Sequence, residues 1–352
     1  MLFYPAMSKR PRLPWPAVLL LSAAAVFLAS CVMLIRRAPP SAFEQNARLG
    51  RGINLGNALE APTEGEWGVT LKPEYYRLIK EAGFRSVRIP VRWPAHAHQG
   101  APYLIDPAFF ARVDWAVQQA LSNGLAAVVN IHHYDDLVKD PAAQRERFLA
   151  LWRQIAEHYQ GYPDQLLLEI LNEPNSQLTA ELWNQFLGEA LEVIRAADPR
   201  RTVVVDAANW ASTWELGKLV LPEGDRNLIV SFHFYSPFEF THQGAEWVSG
   251  SGPWLGRTWA GTESNKQEII KAMDVAAEWG KKNNRPLFMG EFGAYSKADM
   301  DSRVRWTGFV ARQAEERDFS WAYWEFCSGF GAYDPAANAW REGLLRALIP
   351  SR

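Results

Sequence analysis

From residue 51 onward, short apolar runs alternate with longer stretches in which apolar residues recur at helical spacing. The short runs span 52–55, 86–89, 126–131, 166–171, 202–206, 228–234, 286–290 and 319–324. Between them, the periodic stretches 73–82, 109–123, 144–159, 180–197, 265–283 and 299–317 read as helices. Alternation of this kind is the signature of βα units, and hence of a parallel sheet. Eight such strands close on themselves, so the expected fold is α/β, a (β/α)8 TIM barrel, which needs about 250 residues for its single core. The chain has 352, which leaves residues 1–40 as an N-terminal extension to a domain at 41–352.

The extension has a pattern of its own. Lys9, Arg10 and Arg12 precede an uncharged apolar stretch, 13–35, which Arg36, Arg37, Pro39 and Pro40 follow. About 20 apolar residues suffice to span a bilayer, so this export segment is expected to remain as a membrane anchor. A second reading is a lipoprotein signal, because Leu28-Ala29-Ser30-Cys31 resembles a lipobox, although Val32, Met33, Leu34 and Ile35 continue the apolar run. A cleaved signal with plain secretion is the third. All three put the domain outside the cytoplasm and limit membrane contact to the N-terminal segment. Met7 is an alternative start.

Composition narrows the partner. With 48% hydrophobic and 22% charged residues the chain is globular, and a net charge of −2 without a basic run excludes nucleic acid. An uncharged partner is expected. The 16 Trp, 11 Tyr and 18 Phe serve the core first and a cleft second, since aromatic faces stack on the C–H faces of sugars. Cys31 and Cys327 form no disulfide framework and no zinc spacing, and neither metal nor cofactor is implied. Nothing in the pattern calls for a second subunit, so a monomer is expected.

In such a barrel the side chains that meet substrate stand at the C-terminal strand ends. Six runs close there on polar or aromatic groups: Arg88-Ile89-Pro90, His132-His133-Tyr134, Asn172-Glu173-Pro174, His233-Phe234-Tyr235, Glu291-Phe292-Gly293 and Trp324-Glu325. One polar strand end ordinarily caps a helix or satisfies backbone; six around one rim point to a site. Glu173 and Glu291 supply the pair that glycosidic cleavage needs, one to protonate the leaving oxygen and one to attack or stabilise the oxocarbenium-like carbon. Glu169, in the same alternation as Glu173, reads instead as a buried structural carboxylate with Arg88 as its partner.

The runs RGINLGNALEAP, VRIPVRW, NIHHY, LEILNEP, FTHQGAEW, MGEFGAY and AYWEFCSGFG follow one another in barrel order. Through them the stretch 51–349 resembles glycoside hydrolase family 5, close to the bacterial single-domain endo-β-1,4-glucanases. Asn-Glu-Pro on the fourth strand and Gly-Glu-Phe-Gly on the seventh are the hallmark. The resemblance implies retaining hydrolysis of internal bonds in a β-1,4-linked polysaccharide, with Glu173 as general acid and then base, and Glu291 as nucleophile kept ionised by Arg88.

The resemblance also implies roles for the neighbours. Asn172 would bond the sugar 2-hydroxyl, Tyr235 would hold the nucleophile's oxygen, and His233 would orient the strand-seven side. His132 and His133 would contact the sugar before the scissile bond, one of the two being a core histidine in the alternative reading. Trp324 would stack beneath that sugar, and Asn57 and Glu60 would read hydroxyls one subsite further out. Trp247 would line the leaving-group side, with Trp210, Trp254 and Trp259 as further loop aromatics. Cellulose-type glucan is the expected substrate, with mannan or glucomannan beside it. A β-mannanase or a xyloglucan or mixed-linkage enzyme is the alternative, as is transglycosylation through the same intermediate. A non-catalytic sugar-binding barrel is disfavoured by the presence of both glutamates with their partners. No tethered carbohydrate-binding module is expected.

Overall fold

The structure, a computed structural model, describes Met1, Phe3 and residues 40–350. The chain divides into two units, Met1–Pro39 and Pro40–Arg352. The apolar segment 13–35, with its anchor, lipobox and signal readings, lies outside the described residues; among those described, no helix is long and apolar enough to cross a membrane.

In the second unit the strands are β1 (Arg51–Asn54), β2 (Ser86–Ile89), β3 (Ala126–Asn130), β4 (Leu166–Glu169), β5 (Val203–Asp206), β6 (Leu228–Phe234), β7 (Leu287–Phe292) and β8 (Ser320–Tyr323). They close in sequence order into a parallel barrel, sealed where Ile53 of β1 lies opposite Tyr323 of β8. The expected (β/α)8 barrel is present strand for strand.

Helix α1 (Ala42–Leu49) precedes the barrel and was not legible from apolar runs. A capping box starts it: Ser41 Oγ accepts the N–H of Glu44 while the Glu44 carboxylate accepts the N–H of Ser41. The outer helices are α2 (Pro73–Ala82), α3 (Pro107–Ser122), α4 (Asp135–Lys139), α5 (Pro141–Tyr159), α6 (Ala180–Ala197), α7 (Ala208–Ala211), α8 (Phe238–Thr241), α9 (Glu263–Asn283), α10 (Met300–Glu315) and α11 (Glu342–Leu348). α3 and α5 begin earlier than apolar spacing indicates, because Asp106 and Asp140 cap them and Pro107 and Pro141 take the first helical position. α6 buries Trp183, Phe186, Leu187, Ala190, Leu191 and Ile194, the one-face spacing of an amphipathic helix.

Strand alternation divides the apolar residues between two cores. Ile53, Val87, Val129, Leu168, Val205, Val230, Met289 and Tyr323 belong to the large belt between barrel and helices. Ala126, Val128, Leu167, Val204, Ile229, Phe288 and Ala322 form a second cluster with Ala42 and Leu49 of α1, which plugs the N-terminal end of the barrel. Tryptophans then pin the other end. Trp93, Trp152, Trp183 and Trp306 donate their indole N–H to the carbonyls of Asn130, Ile170, Asp206 and Ser236, at 2.9–3.1 Å. These bonds fix the chain at and just beyond the strand ends, where its polar residues begin.

Candidate active site

Toward the C-terminal end the barrel interior turns polar, and Arg88 of β2 is its hub. All five of its N–H groups find acceptors: Glu169 Oε2 at 2.7 Å, Glu169 Oε1 at 2.6 Å, Asn172 Oδ1 at 2.7 Å, Asn54 Oδ1 at 3.0 Å and Glu291 Oε1 at 2.6 Å. Such complete satisfaction is what lets a guanidinium and two carboxylates stand the loss of water. Burial disfavours the charge on Arg88, but Glu169 and Glu291 outweigh it and hold the group well above its ordinary value. Glu169 is likewise penalised by burial, and Arg88 more than compensates, holding it below the usual carboxylate range. Glu169 is therefore the structural partner its strand position indicates.

Glu291 reaches the site through an irregularity in β7. Phe232 pairs with Met289 but His233 with Glu291, so Gly290 is an extra residue in the ladder. A Cβ at Gly290 would lie 2.8 Å from Ser231 Oγ and 2.9 Å from His233 Nε2, which is why glycine stands there. Glu291 then accepts from Arg88 on one oxygen and from the Tyr235 hydroxyl on the other, at 2.8 Å.

Glu173 lies just beyond β4 with left-handed backbone, φ 49°. Its N–H donates to Asp206 Oδ2 at 3.0 Å, and its Oε1 lies 2.8 Å from His233 Nδ1. Donor atoms of Glu173, His233 and Glu291 all fall within 4.8 Å of one another. The two carboxyls differ in surroundings. Glu173 is the more open, yet burial raises it above the usual carboxylate range, opposed by His233 and reinforced by Glu291. For His233, burial favours the neutral ring, but Glu291, Asp206 and Glu173 outweigh it and push the imidazole up to about 9. The trio does not suit a cation: each donor is engaged with a neighbour, and Arg88 and a charged His233 would repel one. Its arrangement suits acid–base work.

The remaining expected residues gather on the same rim, with two departures. β3 ends at Asn130, so strand alternation does not separate His132 from His133; their rings meet edge to face with centroids 4.7 Å apart. Burial, the first cause, holds His132 well below its ordinary value and therefore neutral, with its Nε2 4.0 Å from Glu291 Oε1. The His132 ring lies parallel to Trp324, centroids 5.5 Å apart, while His133 meets Trp67 edge-on at 5.5 Å. Gly56 permits Trp324 to sit there, since a Cβ would meet the indole at 3.0 Å. Trp247 is 61% exposed and stands edge-on to Tyr295, whose hydroxyl donates to Glu246 Oε2 at 2.7 Å. Trp210 is also exposed, its backbone N–H bonded to Pro174 O beside Glu173, and Trp254 packs edge-on to Phe238.

Glu60 is the first departure. It is 1% exposed and its carboxyl accepts the backbone N–H of Asn57 and, at 3.0 Å, that of Ala58. It therefore holds the loop that presents Asn57 instead of standing on the rim, and burial pushes it up to about 8. Trp259 is the second: it is buried, packs on Phe309, and its backbone N–H donates to Ser302 in α10, so it belongs to the helix layer. Three residues to which the sequence assigns no role support the site. Asn54 bonds the carbonyls of Gly290, Ala322 and Tyr323; Glu325 accepts the N–H groups of Cys327, Ser328 and Phe330; and Asp206 holds the backbone of Glu173.

The geometry has close counterparts. The family model described as Cellulase (glycosyl hydrolase family 5) matches residues 51–329. Cel5A of Thermotoga maritima, solved in complex with mannotriose and with cellobiose, is 55% identical, superposes with a TM-score of 0.86, and aligns over 87% of this chain and 99% of its own. Endoglucanase H of Acetivibrio thermocellus is 38% identical over 283 residues, which is 80% of this chain and 30% of that protein. Cellulase/esterase CelE of the same organism is 32% identical over 305 residues, 81% of this chain and 36% of that protein. The chain thus spans about a third of the length of these two relatives.

Proposed function

The chain belongs to glycosyl hydrolase family 5, and from that premise we propose that it is a retaining endo-β-1,4-glucanase acting on cellulose-type glucans, with mannan-type chains accepted beside them. The observation that carries this reading is the pair Glu173 and Glu291, with oxygens within 4.8 Å and unlike partners. Retaining enzymes hold their carboxyls about 5–5.5 Å apart, whereas inverting ones leave room for a water between.

Glu291, oriented by Arg88 and Tyr235, attacks the anomeric carbon while Glu173 gives its proton to the leaving oxygen. The C–O bond breaks and a glycosyl-enzyme ester forms. Glu173, now ionised beside His233, takes a proton from water, which attacks the same carbon and frees Glu291. Arg88 occupies Asn172 Oδ1, so the Asn172 amide N–H groups are left to donate to the sugar 2-hydroxyl. Trp324 forms the floor beneath the reacting sugar, with neutral His132 and His133 beside it. Asn57 reads the next subsite and Trp247 the leaving-group side. Tolerance of mannan draws support from the 55% identical neighbour, which was solved with both cellobiose and mannotriose.

The N-terminal segment extends the proposal to location: residues 13–35 tether a monomeric enzyme outside the cytoplasm. Cell fractionation with and without lipoprotein-signal-peptidase inhibition separates anchor, lipoprotein and secreted forms. The functional reading itself is tested by following cellohexaose and mannohexaose in parallel by proton NMR. Internal cuts of cellohexaose that first release β-anomers support it. Cleavage of mannohexaose alone makes the enzyme a mannanase, and first-formed α-anomers rule out retention.

A further inference from the structure

Beneath the two carboxyls, Asp206 Oδ1, Ser231 Oγ and His233 Nε2 are buried and have no hydrogen-bond partner among the described residues. They lie together. Asp206 and Ser231 are opposite in the β5–β6 register, and Ser231 Oγ and His233 Nε2 both border the space above Gly290. An unpaired buried polar atom costs about 1–3 kcal/mol, more when charged, and native structures retain such atoms where a site uses them.

Asp206 touches both ends of the acid–base pair. Its Oδ2 accepts the Glu173 N–H at 3.0 Å and lies 3.7 Å from His233 Nε2, while the other ring nitrogen lies 2.8 Å from Glu173 Oε1. We propose that Asp206 is a positioning residue for the acid/base: with His233 and Glu173 it forms a carboxylate–imidazole–carboxyl chain that keeps the imidazole protonated on both nitrogens and thereby governs when Glu173 holds its proton. The proposal rests on the reading of Glu173 as acid/base.

The charges around the ring agree with this. His233 is faced by Glu173 and Glu169 from β4 and its end, Asp206 from β5, Glu291 from β7, Arg88 from β2, neutral His132 beyond β3 and Tyr235 beyond its own strand. Burial, then Glu169, pushes Asp206 up to about 7, so above that pH, with Glu173 protonated, the carboxylates of Glu169, Glu291 and Asp206 outnumber the one guanidinium, and the imidazolium supplies the second positive charge. When Glu173 gives its proton to the leaving oxygen, the new carboxylate is met at once by that charge. The same charge keeps Glu173 ionised until water arrives.

Asp206→Asn leaves an oxygen to accept the Glu173 N–H but removes the negative charge 3.7 Å from His233 Nε2, so the ring loses a carboxylate that holds its second proton and becomes neutral. Imidazole 15N and 13C NMR at pH 7.5 should show His233 doubly protonated in the wild type and singly protonated in the variant. With the charged ring gone, Glu173 keeps its proton longer, so the basic limb of kcat/KM moves up by about one pH unit. On dinitrophenyl β-cellobioside, where deglycosylation limits turnover, kcat should fall about tenfold or more with KM falling in parallel. In a His233→Gln background, adding Asp206→Asn should shift the limb no further; an added shift marks a role that bypasses His233 and overturns the proposal. A neutral His233 in the wild type at pH 7.5 overturns it too, whether or not any variant folds. The NMR readout needs no turnover, so a wild type that cuts no glucan would refute the functional reading while leaving the imidazole state separately decided.

Discussion

The two ends of the barrel interior are built from opposite materials. At the N-terminal end Val128, Leu167, Val204, Ile229 and Phe288 meet Leu49 of α1 in a hydrocarbon plug. At the C-terminal end the same alternation delivers Asn54, Arg88, Glu169, Asp206, His233 and Glu291, all buried. Burying an apolar side chain stabilises by about 1.5–3 kcal/mol whatever its neighbours. A buried charge is tolerated only while every partner is present, and breaking one pair costs about 3–5 kcal/mol. One end therefore holds the barrel shut by apolar packing and neutral hydrogen bonds such as Ser86 Oγ to the Leu49 carbonyl, and the other holds chemistry in a network in which each group sets the protonation of the next.

The sharpest break in this comparison is Glu291→Ala. Turnover should fall by about 10⁴-fold or more, with azide restoring product as the opposite-configuration glycosyl azide, and the loss of an Arg88 partner should lower the melting temperature as well. No rescue by small anions would contradict the nucleophile assignment. Next, Glu173→Gln should slow cello-oligosaccharides by about 10²–10⁴ and dinitrophenyl glycosides much less in the first step, because that leaving group needs no proton. Equal loss on both would assign the acid elsewhere.

A matched pair of substitutions compares the ends directly. Arg88→Met should cost about 3–5 kcal/mol and abolish activity, whereas Leu49→Ala should cost about 2–5 kcal/mol with kcat/KM unchanged at a temperature where it stays folded. Denaturant melts and steady-state kinetics on both variants check this; loss of kcat/KM in Leu49→Ala would show that the plug and the site are coupled. A further effect concerns Glu60. A carboxyl pushed up to about 8 by burial binds its proton more tightly folded than unfolded, so it costs stability as pH rises from the ordinary carboxylate range toward 8. Melting temperatures of Glu60→Gln and wild type should therefore diverge in favour of the variant between pH 5 and pH 9, and a constant difference would refute the buried protonation.

The hydrocarbon half was the more legible in sequence. Parallel strands covered on both faces read as runs of Val, Ile and Leu, so β2 and β6 match their predicted limits residue for residue. Strand ends were harder. β7 continues through Glu291 to Phe292 because the Gly290 irregularity keeps the ladder paired, and no apolar count reveals an extra residue. α1 is invisible to apolar periodicity although Ser41 and Glu44 spell a capping box, since it is one short helix of eight residues directly after the N-terminal extension. In the site, Glu173, Glu291 and Arg88 were legible as charges closing apolar runs. Asp206 obeys the same rule at the end of β5, but its contact with Glu173 and His233 depends on the barrel's curvature, which spacing along the chain does not record. The burial of Glu60 is illegible for the converse reason: only the fold turns this loop carboxyl toward its own backbone.

The division of labour between Glu173 and Glu291 is the central claim, and trapping the covalent intermediate tests it most directly. The full chain would be incubated with dinitrophenyl 2-deoxy-2-fluoro-β-cellobioside, digested, and mapped by peptide mass spectrometry. One stoichiometric adduct is expected, an ester on Glu291, that reverses when a sugar acceptor is added. An adduct on Glu173, or full burst-free turnover with no adduct on either carboxylate, would contradict it.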